Sequence, residues 1–230
     1  MNICVVHPRA SFKSAKRLAV ALQCEAFNPF KMGSIDFTKY DLVVNYGVSL
    51  PIKFKAIVNH PAAVLGCVNK LITFRKLKAV GVPTVAFAQF KKDVPASWET
   101  VVCREVADGH SNKGMSYVNS GEPFPDSALY TEYYDHKFEF RIVVLKGKVV
   151  GRYLKEENKS NEWEFNSMDK AGFGVMDTVC LKAATALGID FVGFDVLANS
   201  QNDFRILEAN SGPIMTPEVL KAMKKEFANA

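Results

Sequence analysis

The stretch whose reading decides the fold is Phe194-Asp195-Val196-Leu197-Ala198-Asn199-Ser200-Gln201-Asn202-Asp203-Phe204-Arg205-Ile206-Leu207-Glu208-Ala209-Asn210-Ser211-Gly212-Pro213. Two apolar runs, 191–197 and 204–208, flank Asn199-Ser200-Gln201-Asn202-Asp203, whose side chains bond nearby backbone and so favour turns. The pattern predicts a β-hairpin. Side chains alternate along a strand, so Glu208 and Asn210 share a face, and pairing across the hairpin brings Asp195 opposite them. Three hard oxygen donors on one face suit Mg2+, or Mn2+ in its place, beside phosphate oxygens. Taken alone, the same residues also fit an Asp that starts a turn network and an Asn that caps a strand.

Upstream, Leu129-Tyr130-Thr131-Glu132-Tyr133-Tyr134 and Phe138-Glu139-Phe140-Arg141 are β-rich runs interrupted by charge. Glu139 and Arg141 lie two residues apart and point to one face. On a solvated face such a pair does little. In a cleft, Arg141 can neutralise phosphate charge with two parallel hydrogen bonds. Lys146-Gly147-Lys148 is a turn between 138–145 and 149–154, so 129–134, 138–145 and 149–154 read as one antiparallel sheet.

Before these lies Val102-Cys103-Arg104-Glu105-Val106-Ala107-Asp108-Gly109-His110-Ser111-Asn112-Lys113-Gly114-Met115. A strand ending in Arg104 meets a polar loop in which Gly109 and Gly114 allow backbone amides close to a phosphate. The G-x-x-x-x-G frame is not a P-loop, because Met115 stands where that motif needs Lys, and a strand follows instead of a helix. An ordinary surface hairpin carries glycines in the same way.

Working outward, 2–6 and 41–45 read as strands, with a helix between them carrying Ala15, Leu18, Ala19 and Leu22 on one face and a short helix after Leu50-Pro51. A helix is expected over 69–80, capped by Asn69 and stopped by Gly81-Val82-Pro83, followed by strands at 84–87 and 101–104. Helical spacing returns over 176–187 before Gly188, and Pro217 opens a last helix. The polar segment 156–174, with Trp163, reads as a mobile loop that closes over ligands. The whole is α+β in three lobes, 1–65, 66–128 and 129–230.

Composition bounds the function. Hydrophobic residues at 48% and charged residues at 23% describe a packed globular chain of 230 residues, without the composition of disorder. The charge of +5 favours an acidic partner, yet no Lys/Arg block exceeds two residues and no basic-aromatic stripe suggests nucleic acid. Cys4, Cys24, Cys67, Cys103 and Cys180 are odd in number and form no C-x-x-C pair, which points to a reducing cytoplasm. No leader-like start and no long apolar run suggest secretion or membrane insertion. His7, His60, His110 and His136 lack the spacing of a metal site.

In this order, the elements resemble an ATP-grasp enzyme of the group that includes D-alanine:D-alanine ligase, glutathione synthetase and the ligases that add glutamate to ribosomal protein. The resemblance covers 66–215. It implies an ATP-grasp fold in which a small N-terminal α/β lobe precedes two α+β lobes that sandwich ATP. By that resemblance Lys70 and Arg104 stand where the family holds two phosphate-binding lysines, Arg104 being a departure, and Gly109, Ser111 and Gly114 belong to the loop over the phosphates. Glu132, Tyr133 and Tyr134 resemble the adenine hinge, and Glu139 the acid at the ribose. Arg141 resembles the arginine at the transferring phosphoryl group, with Lys155 and Asn166 beside the acyl phosphate. Asp195, Glu208 and Asn210 resemble the magnesium ligands, and Ser211 and Gly212 the substrate-facing turn. Relatives often carry arginine just ahead of the asparagine, whereas this chain reads Trp163-Glu164-Phe165-Asn166.

The implied activity joins a carboxylate to an amine, such as an amino acid, peptide or protein terminus, through an acyl phosphate at the expense of ATP. The rival readings are a phosphotransferase on the same cradle, which needs no amine, and a basic nucleic-acid-binding or scaffold protein. Neither the two substrates nor the oligomeric state is written in the sequence.

Overall fold

The computed structural model describes residues 1–32, 35–107, 114–160 and 163–227. The chain opens with β1 (Ile3–Val6), α1 (Phe12–Leu22), β2 (Glu25–Phe27), α2 (Pro29–Met32), β3 (Leu42–Asn45) and β4 (Ile57–Val58). The strands form a parallel sheet in the order β2-β1-β3-β4. All four residues of β1 and of β3 are buried, as expected for a parallel sheet covered on both sides. α1 buries Ala15, Leu18, Ala19 and Leu22, the three- and four-residue spacing that lays one helix face on the sheet. The helix expected after Leu50-Pro51 begins later: β4 comes first, and α3 (Pro61–Val68) follows with Pro61 in its first turn and the His60 side chain accepting from Ala62 N. The sequence division at 65/66 falls inside α3.

α4 (Lys70–Ala79) begins where Asn69 Oδ1 accepts from Ile72 N at 3.0 Å and ends before Gly81, whose φ of 68° suits glycine. A second sheet joins β5 (Phe87–Ala88), β6 (Thr100–Arg104), β7 (Met115–Asn119) and β8 (Leu129–Glu132) in the antiparallel order β5-β8-β6-β7. The expected strand at 84–87 shrinks to Phe87–Ala88, Thr84 making only an isolated bridge to Ile206. β8 departs from the sequence reading, which grouped it with the last lobe. It pairs with β6, Cys103 opposite Tyr130, because Tyr130 packs with Ala88, Trp98 and Cys103, and Leu129 with Phe74 and Val85.

The third sheet contains β9 (Phe138–Leu145), β10 (Lys148–Glu157), β11 (Trp163–Ser167), β12 (Phe191–Ala198) and β13 (Phe204–Asn210), all antiparallel, ordered β11-β10-β9-β12-β13. Lys146 and Gly147 both have positive φ, 42° and 70°, as a two-residue hairpin turn requires. The segment expected as a mobile loop is in good part strand, since β10 runs on to Glu157 and β11 returns against it. Two helices complete the chain, α5 (Gly174–Leu187), stopped by Gly188 at φ 65°, and α6 (Pro217–Phe227).

One face of this sheet is apolar throughout: Ile142, Val144, Val192, Phe194 and Val196 pack on Met176, Cys180, Ala183 and Leu187 of α5. The other face changes character along its length. At one end Val143, Leu145 and Phe191 pack with Leu18, Val44, Val219 and Met223 of the first lobe and α6. At the other end the same face carries Glu139, Arg141, Lys155 and Asp195. A charged sheet end beside an apolar one marks the functional part of the fold.

Candidate active site

The charged end of the third sheet faces the second sheet across a cavity of about 260 Å3. Val85, Val102, Leu197 and Leu207 give it an apolar wall, while Lys70, Arg104, Glu139, Lys155, Asp195 and Glu208 line it with charge. Glu132 ends β8, and Tyr133 and Tyr134 begin the connection from the second sheet to the third, also on the cavity. The backbone N–H of Glu132 donates to Ala86 O at 3.0 Å and that of Tyr133 to Thr100 O at 2.9 Å, which fixes this hinge.

Strand register assembles the charges. Asp195 stands opposite Arg141 on β9 and opposite Glu208 on β13, and a bulge between Asp195 and Val196 leaves Leu207 unpaired. Arg141 donates to Asp195 through Nε, and through Nη2 at 2.8 Å. Lys155 Nζ donates to Glu139 and lies 3.3 Å from Asp195 Oδ2. Lys70 Nζ lies 3.5 Å from Glu208 Oε1. The Asn210 amide, oriented to satisfy its neighbours, donates to Glu208 Oε1 at 3.2 Å and accepts from Arg141 Nη2 at 3.3 Å.

Burial alone would raise the Asp195 carboxyl, but the charge and hydrogen bonds of Arg141, then of Lys155, hold it below the usual carboxylate range. Burial opposes the charge of Arg141 too, and Asp195 reverses that, so the guanidinium is held above its ordinary value. Arg104 differs. Burial lowers its value, its Nε has no hydrogen-bond partner, and Nη1 donates only to Met115 Sδ at 2.8 Å. A buried donor left unmade is costly, so this group is set to meet an acceptor in the cavity.

The turn after β13 is clamped to the first lobe. Tyr46, buried, donates through its hydroxyl to Pro213 O, and a Cβ on Gly212 would lie 3.3 Å from the Tyr46 ring. Ser211 is buried, its Oγ 3.8 Å from where a Gly47 Cβ would stand. Gly193 belongs to the same arrangement: a Cβ there would come within 2.8 Å of Pro213 Cβ and 2.9 Å of Arg141 Cδ. Gly193→Ala is therefore expected to cost about 1–3 kcal/mol, as overpacking in a filled core does, read as a lowered urea midpoint.

Asn166 is not brought into this group. It stands opposite Leu154, whereas Lys155 stands opposite Phe165, so alternation turns Asn166 to the other face, where it is exposed and donates to Glu156 Oε2 at 2.8 Å. Phe165 occupies the charged face instead, its ring 5.3 Å from the Arg141 guanidinium carbon, and Trp163 lies 4.1 Å from Lys155 Nζ. Sequence reasoning missed both contacts; recognising that 163–167 pairs antiparallel with 153–157 and counting alternate residues from Lys155 would have found them. Gly109 and Ser111 lie outside the described residues. Gly114 is described, with φ 67°, and its carbonyl accepts from Glu105 N at 2.9 Å.

The lobes and the cavity between the second and third sheets define an ATP-grasp fold. Solved ATP-grasp structures match along nearly the whole chain. The ligase PsnB, complexed with a precursor variant, Mg and ADP, superposes with a TM-score of 0.71 at 12% identity, covering 98% of each chain. D-alanine–D-alanine ligase from Bacillus anthracis complexed with ATP gives 0.67 at 13%, covering 100% of this chain and 97% of that one. Among curated proteins, Danio rerio beta-citrylglutamate synthase B is 27% identical and human N-acetylaspartylglutamate synthase A 26% identical, each over 67% of this chain. The chain spans 44% and 46% of their respective lengths. No protein-family model matches. Among the described residues no helix is long and apolar enough to cross a membrane, and no cluster of three or more His, Cys, Asp or Glu side chains is placed to hold a metal ion.

Proposed function

We propose that this chain is an ATP-dependent carboxylate–amine ligase of the cytoplasm, organised as lobes 1–65, 66–128 and 129–230, with ATP in the cavity between the second and third sheets. One observation carries the reading: in an ATP-grasp fold, strand register brings Asp195 and Glu208, held by Arg141 and Asn210, to a cavity that also receives Lys70, Lys155 and the unsatisfied Arg104.

The donor set fits a divalent cation, for Asp195, Glu208 and Asn210 cluster as two carboxylates and an amide, and Asn210 already touches Glu208. We assign these three to Mg2+, with Mn2+ as a substitute; when bound, the ion supplies charge neutralisation at phosphate oxygens. Arg104 and Lys70 bind phosphate, Arg104 through the donor that lacks a partner here. Arg141 orients and neutralises the transferring phosphoryl group, and Lys155 holds the carboxylate end of the reaction. Glu139 meets the ribose, Glu132, Tyr133 and Tyr134 meet adenine, and Gly109, Ser111 and Gly114 are assigned to the cofactor phosphates. Asn166, turned away, has no place in this scheme.

The carboxylate oxygen attacks the γ-phosphorus, ADP leaves, and the amine then displaces phosphate from the acyl phosphate. Positioning and charge neutralisation supply the catalysis. Ser211 and Gly212 face the substrates, for which an amino acid and a peptide or protein terminus are the leading pair. Hydroxylamine added to chain, ATP and a pooled set of amino acids and peptides should trap an acyl hydroxamate. A stable phosphorylated product in its absence would replace ligase by phosphotransferase.

Arg104 gives a quantitative test. A hydrogen bond to a charged group contributes about 1.5–3 kcal/mol, so Arg104→Met is expected to weaken a non-hydrolysable ATP analogue about 10- to 100-fold in calorimetric titration. Arg104→Lys keeps the charge but not the planar fork and should cost less than about tenfold.

A further inference from the structure

Away from the cavity, α1 and α6 leave a groove of about 730 Å3 between them. On α1 two rows at four-residue spacing line it, Phe12–Lys16–Val20 and Lys13–Arg17–Ala21, and Leu220 and Lys224 line it from α6. Phe12 is 51% exposed and Val20 71%, although the inner face of α1 is fully used against the sheet. Phe12 also lines a second hollow of about 510 Å3, where Arg9 and Lys31 stand beside Met32. Apolar floor and basic rim thus run continuously across the first lobe.

Among the described residues no carboxylate pairs with those bases. Residues 7–24 contain Arg9, Lys13, Lys16 and Arg17 and no Asp or Glu. The nearest acids along the chain are engaged elsewhere: Glu25 accepts from the Tyr40 hydroxyl at 3.1 Å, Glu218 from Tyr153 at 3.4 Å, and Glu226 lies 3.6 Å from Lys146. Among the described residues none of Lys13, Lys16, Arg17 and Lys224 has an ion-pair partner in the structure.

We propose that the α1–α6 groove docks an acidic amphipathic helix of a partner protein. Phe12 and Val20 lie about 12 Å apart along α1, the reach of two turns, so two apolar anchors at i and i+7 or i+8 on the incoming helix can meet both. Carboxylates flanking those anchors then meet Lys13, Lys16, Arg17 and Lys224, and the association is steered by charge and weakened by salt. A nucleic-acid backbone has nothing to place in an apolar cleft. A membrane favours a continuous convex apolar face, whereas here the apolar side chains line a depression and alternate with bases. Docking requires neither ATP nor turnover, so it holds or fails independently of the ligase reading.

The test is fluorescence anisotropy of the full chain with a labelled acidic helix of about four turns carrying Leu at i, i+3, i+4 and i+7 and Glu elsewhere. Saturable binding is expected, weakened about tenfold or more when those Leu residues become Ser, and by a similar factor in Phe12→Ser. A Lys13→Glu/Lys16→Glu/Arg17→Glu variant should lose binding while its urea midpoint stays close to that of the parent. Equal binding of the Leu and Ser peptides, an affinity unmoved by Phe12→Ser, or competition by polynucleotide or phosphatidylserine vesicles at equal affinity would each overturn the assignment. So would sedimentation showing that a second copy of the chain fills the groove.

Discussion

Glu208→Gln is expected to lower ADP release by about a hundredfold or more while leaving the fold in place, since even outer partners of metal ligands cost 10- to 100-fold. The substitution keeps size and one oxygen acceptor, so the Asn210 amide can still donate to residue 208. It removes the charge that faces Lys70 at 3.5 Å and that raises Arg104 against the effect of burial. Glu208 is partly exposed, its side chain at 26%, so the stability change should stay within about 1 kcal/mol, as for other solvent-screened pairs. ADP release should be assayed with pooled amino acids, peptides and polyamines, with unfolding followed in parallel. Unchanged ADP release in the variant would remove Glu208 from the metal assignment. Lost release together with a large drop in the unfolding midpoint would reassign it to structure.

That this residue could be chosen from sequence follows from the simplest periodicity in proteins. Alternation along two strands joined by a polar turn puts Asp195, Glu208 and Asn210 together whatever the rest of the chain does. The bulge at Leu207 is not legible, yet it falls beyond the Asp195–Glu208 pair, toward the turn, and leaves the register from Asp195 to Gly193 intact. The Asn69 cap, the Gly188 stop and the Lys146-Gly147 turn were readable for the same reason: each is local chemistry acting over a few residues.

What failed to show was long-range choice. β8 has the same β-rich composition as its successor, and which sheet it joins depends on whether Tyr130 finds Trp98 or the α5 face, a contact that pattern cannot rank. The 156–174 segment looked loop-like because its polar residues lie on a two-stranded edge with little core to bury. Missing that strand pairing hid the place of Phe165 opposite Lys155 and of Asn166 opposite Leu154. The turn at Ser211-Gly212 follows from the strand end before it, but the Tyr46 hydroxyl that ties the adjoining Pro213 to the first lobe lies 167 residues away in sequence and leaves no local trace.

The buried pair at the centre of the site gives a prediction of comparable size. Arg141 and Asp195 have side chains only 11% and 4% exposed, so Asp195→Ala strands a guanidinium in low dielectric and is expected to destabilise the chain by about 3–5 kcal/mol. The lower end is the better expectation, because Asn210 still accepts from Arg141, and Glu139 and Glu208 still lend it charge. The measurement belongs near pH 7. A folded carboxyl held below its unfolded value near about 3.9 contributes fully above that value and loses its contribution as the pH falls through the folded one. A double variant, Arg141→Met with Asp195→Leu, removes both charges and should recover most of the loss, since apolar residues of similar volume replace a buried pair at little cost. ADP release should not recover with it. If the double variant folds well and remains inactive, the pair is retained for phosphoryl chemistry at a cost to the fold. If Asp195→Ala costs less than about 1 kcal/mol, the pair is effectively solvated and its place at the centre of the site is lost.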